Sequence, residues 1–61
     1  MVNTYTKGTY VKLHTSDSWD CLHGIVDDRF DGIIAVFCPT MPLWRYFVNP
    51  DDAKNVLEVI A

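Results

Sequence analysis

The chain predicts an all-β fold: a small barrel of five antiparallel strands with one short 3-10 turn before the last strand. Three observations carry that expectation. Apolar and polar residues alternate over residues 9–14 and again over 44–48, the period of a half-buried strand. Between these stretches, Asp31-Gly32 separates two β-rich runs, and an Asp-Gly pair accepts the positive φ angles of a two-residue hairpin turn. The acidity is nearly all aspartate, seven Asp against one Glu, and aspartate suits turns and caps better than helix interiors.

Each element follows in order. Residues 1–7 are polar and Thr-rich, a frayed end or short edge strand. After Gly8, residues 9–14 place Val11 and Leu13 on one face and Tyr10, Lys12 and His14 on the other. Residues 15–20 (TSDSWD) form a turn-rich loop carrying one large aromatic, Trp19. Residues 21–38 make the central hairpin. A two-residue turn at Asp31-Gly32 sets Phe30 opposite Ile33 and puts Leu22, Gly24, Val26, Asp28 and Phe30 on one face with Ile33, Ala35 and Phe37. Cys21, His23, Ile25, Asp27 and Arg29 then share the other face with Ile34, Val36 and Cys38, and a bulge would exchange the faces beyond it. Pro39 and Pro42 end the hairpin, because proline cannot donate to a ladder. Residues 44–48 form the fourth strand. Asn49-Pro50-Asp51-Asp52 reads as a helix start, with a cap residue, proline in the first helical position and acids in the first turn. Only three residues follow before β character resumes at residues 56–60, so a single 3-10 turn is expected there.

Sixty-one residues make one domain, residues 1–61, that buries about 60% of its unfolded surface. With 49% hydrophobic residues it can build a core without metal or disulfide. Closure of the sheet into a barrel removes the open apolar edges that a meander of this size would present. The spacing of Gly8-x-x-Val11-x-Leu13, Gly24-Ile25-Val26, Ile34-x-Val36 and Leu57-x-Val59 resembles the SH3-like small β-barrel superfamily, in particular its KOW-type modules. It is also similar in pattern to photosystem I reaction-centre subunit IV and to the SH3-like subunit of the photosynthetic NDH complex. The resemblance spans residues 8–60 and implies a five-stranded SH3-like barrel.

The same sequence narrows the function. A net charge of −3, with five scattered basic residues, disfavours nucleic acid as partner. No run approaches the roughly 18 apolar residues of a membrane helix, so no membrane insertion is expected. The opening MVNTYTKG does not read as a signal peptide, which leads to a cytoplasmic setting with reduced cysteines. No catalytic motif is present: no phosphate-binding glycine loop, no HExxH and no Ser/His/Asp or Cys/His context. Asp27 and Asp28 are strand neighbours pointing to opposite faces, so they do not form a dyad. Cys21, His23 and Cys38 fall on one face of the expected hairpin, with His14 within reach. The Cys-x-His spacing is not a zinc-knuckle spacing, however, and free cysteine commonly behaves as a small buried hydrophobe. No metal and no cofactor are expected.

The aromatic residues carry the functional expectation. Eight are present, and Phe30, Phe37 and Phe47 are the natural core candidates. Trp19 lies in a polar loop, and Trp44 follows Met41-Pro42-Leu43. Large rigid aromatics outside a core are the material of protein-binding hot spots, while in a small domain they also serve as plugs at the barrel ends. The expected function is a non-enzymatic protein-binding module or small accessory subunit that meets its partner through Trp19, Met41, Leu43, Trp44 and Tyr46. The alternative is a KOW- or Tudor-like module binding nucleic acid or a basic peptide.

Overall fold

The computed structural model describes residues 5–28 and 31–60. Strands β1 (Tyr10–Leu13), β2 (His23–Val26), β3 (Ile34–Phe37), β4 (Arg45–Val48) and β5 (Leu57–Val59) form one antiparallel sheet in the order β4-β3-β2-β1-β5. The fold is all-β and SH3-like, with the sheet curled around a core and a helical piece before the last strand. Val11 and Leu13 on β1, Val26 on β2, Ile34 and Val36 on β3, Val48 on β4 and Leu57 on β5 fill that core, together with Cys38 and Ala53. The alternation expected for the first strand is the one observed: Val11 and Leu13 are buried and Tyr10 faces out.

Two bulges bracket the β1–β2 ladder. The Cys21 amide donates to the Leu13 carbonyl at 2.7 Å while the Leu13 amide donates to the Leu22 carbonyl at 2.8 Å, so two residues oppose one. Cys21 takes the left-handed position of this bulge, at φ 67°. At the other end, Gly8 and Thr9 together oppose Val26: the Gly8 amide reaches the Val26 carbonyl at 2.8 Å and the Val26 amide reaches Thr9 at 2.9 Å. Bulges of this kind bend a strand and increase its twist. Strands of only four residues need that bending to wrap a core.

The central hairpin corrects one expectation. Asp31 and Gly32 have the positive φ angles foreseen for them, 53° and 80°. The pairing, however, sets Val26 opposite Val36 and Ile25 opposite Phe37. Nine residues, 27–35, lie between Val26 and Val36, an odd number, whereas a two-residue turn leaves an even one. The extra residue exchanges the faces of β3 relative to β2. Ile34, Val36 and Cys38 therefore join Gly24 and Val26 inside, and Phe37 lies outside beside Ile25. Gly24 shows what favours this register. A Cβ built there would stand 2.5 Å from Val36 Cγ1 and 3.0 Å from Cys38 Sγ, so those side chains fill the hollow the glycine leaves. Phe30, the expected partner of Ile33, lies outside the described residues, as does Arg29.

The turn at Asp31-Gly32 offers a direct test. A Cβ on Gly32 would meet nothing within 4 Å, so substitution is opposed by the backbone alone. Gly32→Val is expected to lower stability by about 1–2 kcal/mol, since a β-branched residue is forced to positive φ. Urea denaturation reads the change, and an unchanged midpoint would show that the turn adapts.

The helical piece is longer than expected. Asn49 caps a 3-10 turn (Pro50–Asp52) by accepting the Asp51 amide at 3.1 Å, and α1 (Ala53–Val56) continues it for one more turn. Val56 thus belongs to the helix, not to the last strand. The extra turn carries Ala53 into the core and delivers Leu57 opposite Leu13 on β1.

Candidate functional site

Loop 39–44 joins β3 to β4 and is built from two consecutive turns. The Met41 amide donates to the Cys38 carbonyl at 2.8 Å and the Trp44 amide to the Met41 carbonyl at 3.1 Å. Arg45 Nη1 adds a bond to the Trp44 carbonyl at 3.3 Å. With its backbone bonded internally, the loop holds its side chains outward. Leu43 is 88% exposed and Trp44 64%, and they line a shallow recess of about 260 Å³ with Thr40, half-buried Met41 and Pro42.

Trp19 and Tyr46 are placed differently. Asp17 organises the loop that carries Trp19: its carboxylate accepts the Trp19 amide at 2.9 Å and the Thr15 hydroxyl at 2.8 Å. These two bonds, the Trp19 amide first, hold the Asp17 carboxyl below the usual carboxylate range. Asp20 accepts the Thr15 amide at 2.9 Å and closes the loop. So positioned, the Trp19 ring meets the Tyr46 ring at 5.2 Å and 49°, a tilted aromatic contact, and both residues pack against the core. Burial, followed by the nearby Asp17 charge, raises the Tyr46 phenol. The five expected residues therefore divide. Met41, Leu43 and Trp44 share the loop surface, while Trp19 and Tyr46 cover the core.

A further surface was not foreseen. Tyr10, Ile25, Phe37 and Arg45 are successive cross-strand neighbours on β1 to β4 and form one row across the outer face of the sheet. Phe37 and Phe47, expected in the core, belong to this face; Phe37 is half-buried and Phe47 is 55% exposed. For Phe47 the signal was in the sequence: strand alternation ties it to Arg45, and an inward Phe47 would have carried Arg45 inward too. The Arg45 guanidinium lies 4.5 Å from the centre of the Phe37 ring, and its Nε donates to Asp27 at 3.0 Å. The Asp28 amide and then Arg45 hold the Asp27 carboxyl below its ordinary range. Shallow recesses flank Ile25, one of about 230 Å³ towards Lys7 and Arg45, the other of about 170 Å³ towards Tyr10 and His23.

The cysteine and histidine set does not converge. Cys38 is fully buried, Cys21 is exposed in its bulge, and His23 is exposed on the outer face. The expectation that all three share a face is corrected by the register of the central hairpin. His14 is engaged elsewhere, with Nε2 2.7 Å from Glu58 Oε1 on β5. Among the described residues no three of His, Cys, Asp and Glu gather as a metal group. A hydrogen bond to Asp20 pushes the Cys21 thiol up, and burial pushes up that of Cys38, so neither is set up as a thiolate. No helix among the described residues is long and apolar enough to cross a membrane.

Set against models of protein families, curated proteins and solved structures, the chain matches none of them.

Proposed function

We propose that the protein is a non-enzymatic binding module, a small accessory or regulatory subunit that docks on a larger protein partner through loop 39–44. The observation that carries this reading is the exposure of Leu43 and Trp44 on a loop folded by two backbone turns, the Met41 amide on Cys38 and the Trp44 amide on Met41. Two large apolar side chains held in water gain free energy when a partner covers them, and a pre-ordered loop loses little entropy in the process. The recess beside them offers a place for a partner side chain. Trp19 and Tyr46 contribute by packing on each other and against the core, which fixes the strand that follows the loop. The KOW-type resemblance of residues 8–60 agrees with a module serving a larger assembly, and the setting we infer is cytoplasmic. The acidic charge weighs against nucleic acid.

Affinity capture with the immobilised chain tests the proposal, with Trp44→Ala alongside. The native chain is expected to retain a protein that the variant loses, at a cost of over about 2 kcal/mol in binding, roughly thirtyfold in Kd. The melting temperature of the variant should stay within a few degrees. A folded variant with intact binding removes Trp44 from the interface. A salt-sensitive shift of labelled RNA would favour the nucleic-acid alternative.

A further inference from the structure

We infer that the part of the partner that docks on loop 39–44 is a basic, extended segment with one aliphatic anchor. The anchor enters the recess beside Leu43 and Trp44, and lysine or arginine residues about two to four positions away meet Asp17 and Asp20. This rests on loop 39–44 being the docking surface and adds the chemistry of what docks there.

Topology brings the two acids to the loop. β1 ends at Leu13 and β2 begins at His23, while β3 ends at Phe37 and β4 begins at Arg45. With Lys12 opposite His23, Ile25 opposite Phe37 and Phe37 opposite Arg45, both connections leave the sheet at the same end. The Trp19 ring lies 5.2 Å from the Tyr46 ring, so the first connection leans onto the strand that the second one feeds. Trp44 stands two residues before Tyr46, about 7 Å along an extended chain. Asp17 is near enough to Tyr46 for its charge to help raise the phenol, after burial.

Charge selects the partner. Asp17 and Asp20 accept hydrogen bonds from Thr15, Trp19 and the Cys21 thiol, but among the described residues neither is ion-paired. The Trp19 amide, followed by the Thr15 hydroxyl, holds the Asp17 carboxyl below its ordinary range and so keeps it charged. Arg45 is bonded to Asp27, and Lys7 is paired with Asp28 beyond the other end of β2. Lys12 lies across from His23 on the outer face. Two acids of a chain with net charge −3 thus stand without a base beside Leu43 and Trp44. Such a rim repels nucleic-acid phosphates and acidic protein faces, and it attracts lysine and arginine. The exposed Trp44 ring accepts the same cations on its face.

The recess sets the form of the segment. A shallow hollow of about 260 Å³ at a loop takes one side chain, not a folded surface. Met41 in its wall is unbranched and adapts to anchors of differing shape.

Three capped pentapeptides test this. All begin with leucine and carry serine at the second and fourth positions; the third and fifth are both lysine, both glutamate or both serine. Each is titrated into the full chain to about 5 mM, and amide shifts are followed by nuclear magnetic resonance. The lysine peptide is expected to shift residues 15–20 and 39–46, and to bind at least about fivefold more tightly than the serine peptide at low salt. The glutamate peptide should bind weakest. Asp17→Asn with Asp20→Asn keeps a side-chain oxygen for each hydrogen bond in the loop and should reduce the lysine peptide to the level of the serine peptide. Should that variant fail to fold, the peptide series on the native chain decides alone. Equal binding of all three peptides at loop 39–44 overturns the inference and leaves the loop as docking surface. Lysine-peptide binding that survives Trp44→Ala overturns both. No shift with any peptide overturns the inference, and affinity capture then decides on the loop separately.

Discussion

Gly24→Ala is expected to destabilise the domain by about 3 kcal/mol, with a matching fall in the urea midpoint. The added Cβ would lie 2.5 Å from Val36 Cγ1, 3.0 Å from Cys38 Sγ and 3.0 Å from the Phe37 carbonyl oxygen. Val36 and Cys38 are fully buried, and the carbonyl belongs to the neighbouring strand, so none of the three can move aside at small cost. A domain of this size has a total stability of roughly 3–9 kcal/mol, so the substitution removes a large part of it. Adding Val36→Ala to Gly24→Ala should restore some of the loss, because the nearest clash is with the valine methyl. A double variant whose loss equals the sum of the two single losses would show that the close contact with Val36 is not the cause.

Trp19→Ala is expected to cost about 3 kcal/mol of stability, whereas Trp44→Ala should change stability by less than about 0.5 kcal/mol. The two tryptophans differ in where the fold sets them. Trp19 is held by the Asp17 turn against Tyr46 and the core, so its removal opens a cavity and uncovers the ring beneath. Trp44 stands 64% exposed on a loop that makes its hydrogen bonds through the backbone. Thermal denaturation of both variants decides the assignment. Equal losses would mean that Trp44 also covers the core, and loop 39–44 would cease to be a candidate for partner binding.

How much of this was legible in the sequence varies by element. The β1 alternation, the prolines that bound loop 39–44, the Asn49 cap and the Asp31-Gly32 turn are local features, and residues 9–14, 39–42 and 49–52 report them directly. Of the site, Leu43 was legible as an apolar residue in a segment opened by two prolines, and Trp44, expected as the first residue of the fourth strand, lies in the loop one residue before β4 begins at Arg45. The separate roles of Trp19 and Tyr46 were not legible, because they depend on a contact between a loop and a strand 27 positions apart in the chain. The outer row was hidden by the register of the central hairpin.

By itself the sequence determined the all-β class, the number of strands and the places where the chain turns, since these follow from side-chain period, proline chemistry and positive-φ residues acting over a few positions. Tertiary structure decided which face of β3 turns inward. A shift of one residue inverts a strand, and local propensity does not distinguish Ile33 and Phe37 from Ile34, Val36 and Cys38 as the inward set; Ala35, small and fully buried on the outer face, fits either way. The choice is made across strands, where Gly24 leaves room for Val36 and Cys38. The same choice sends Phe37 outward beneath Arg45, away from Cys38, and so creates the outer surface while separating the cysteine and histidine set.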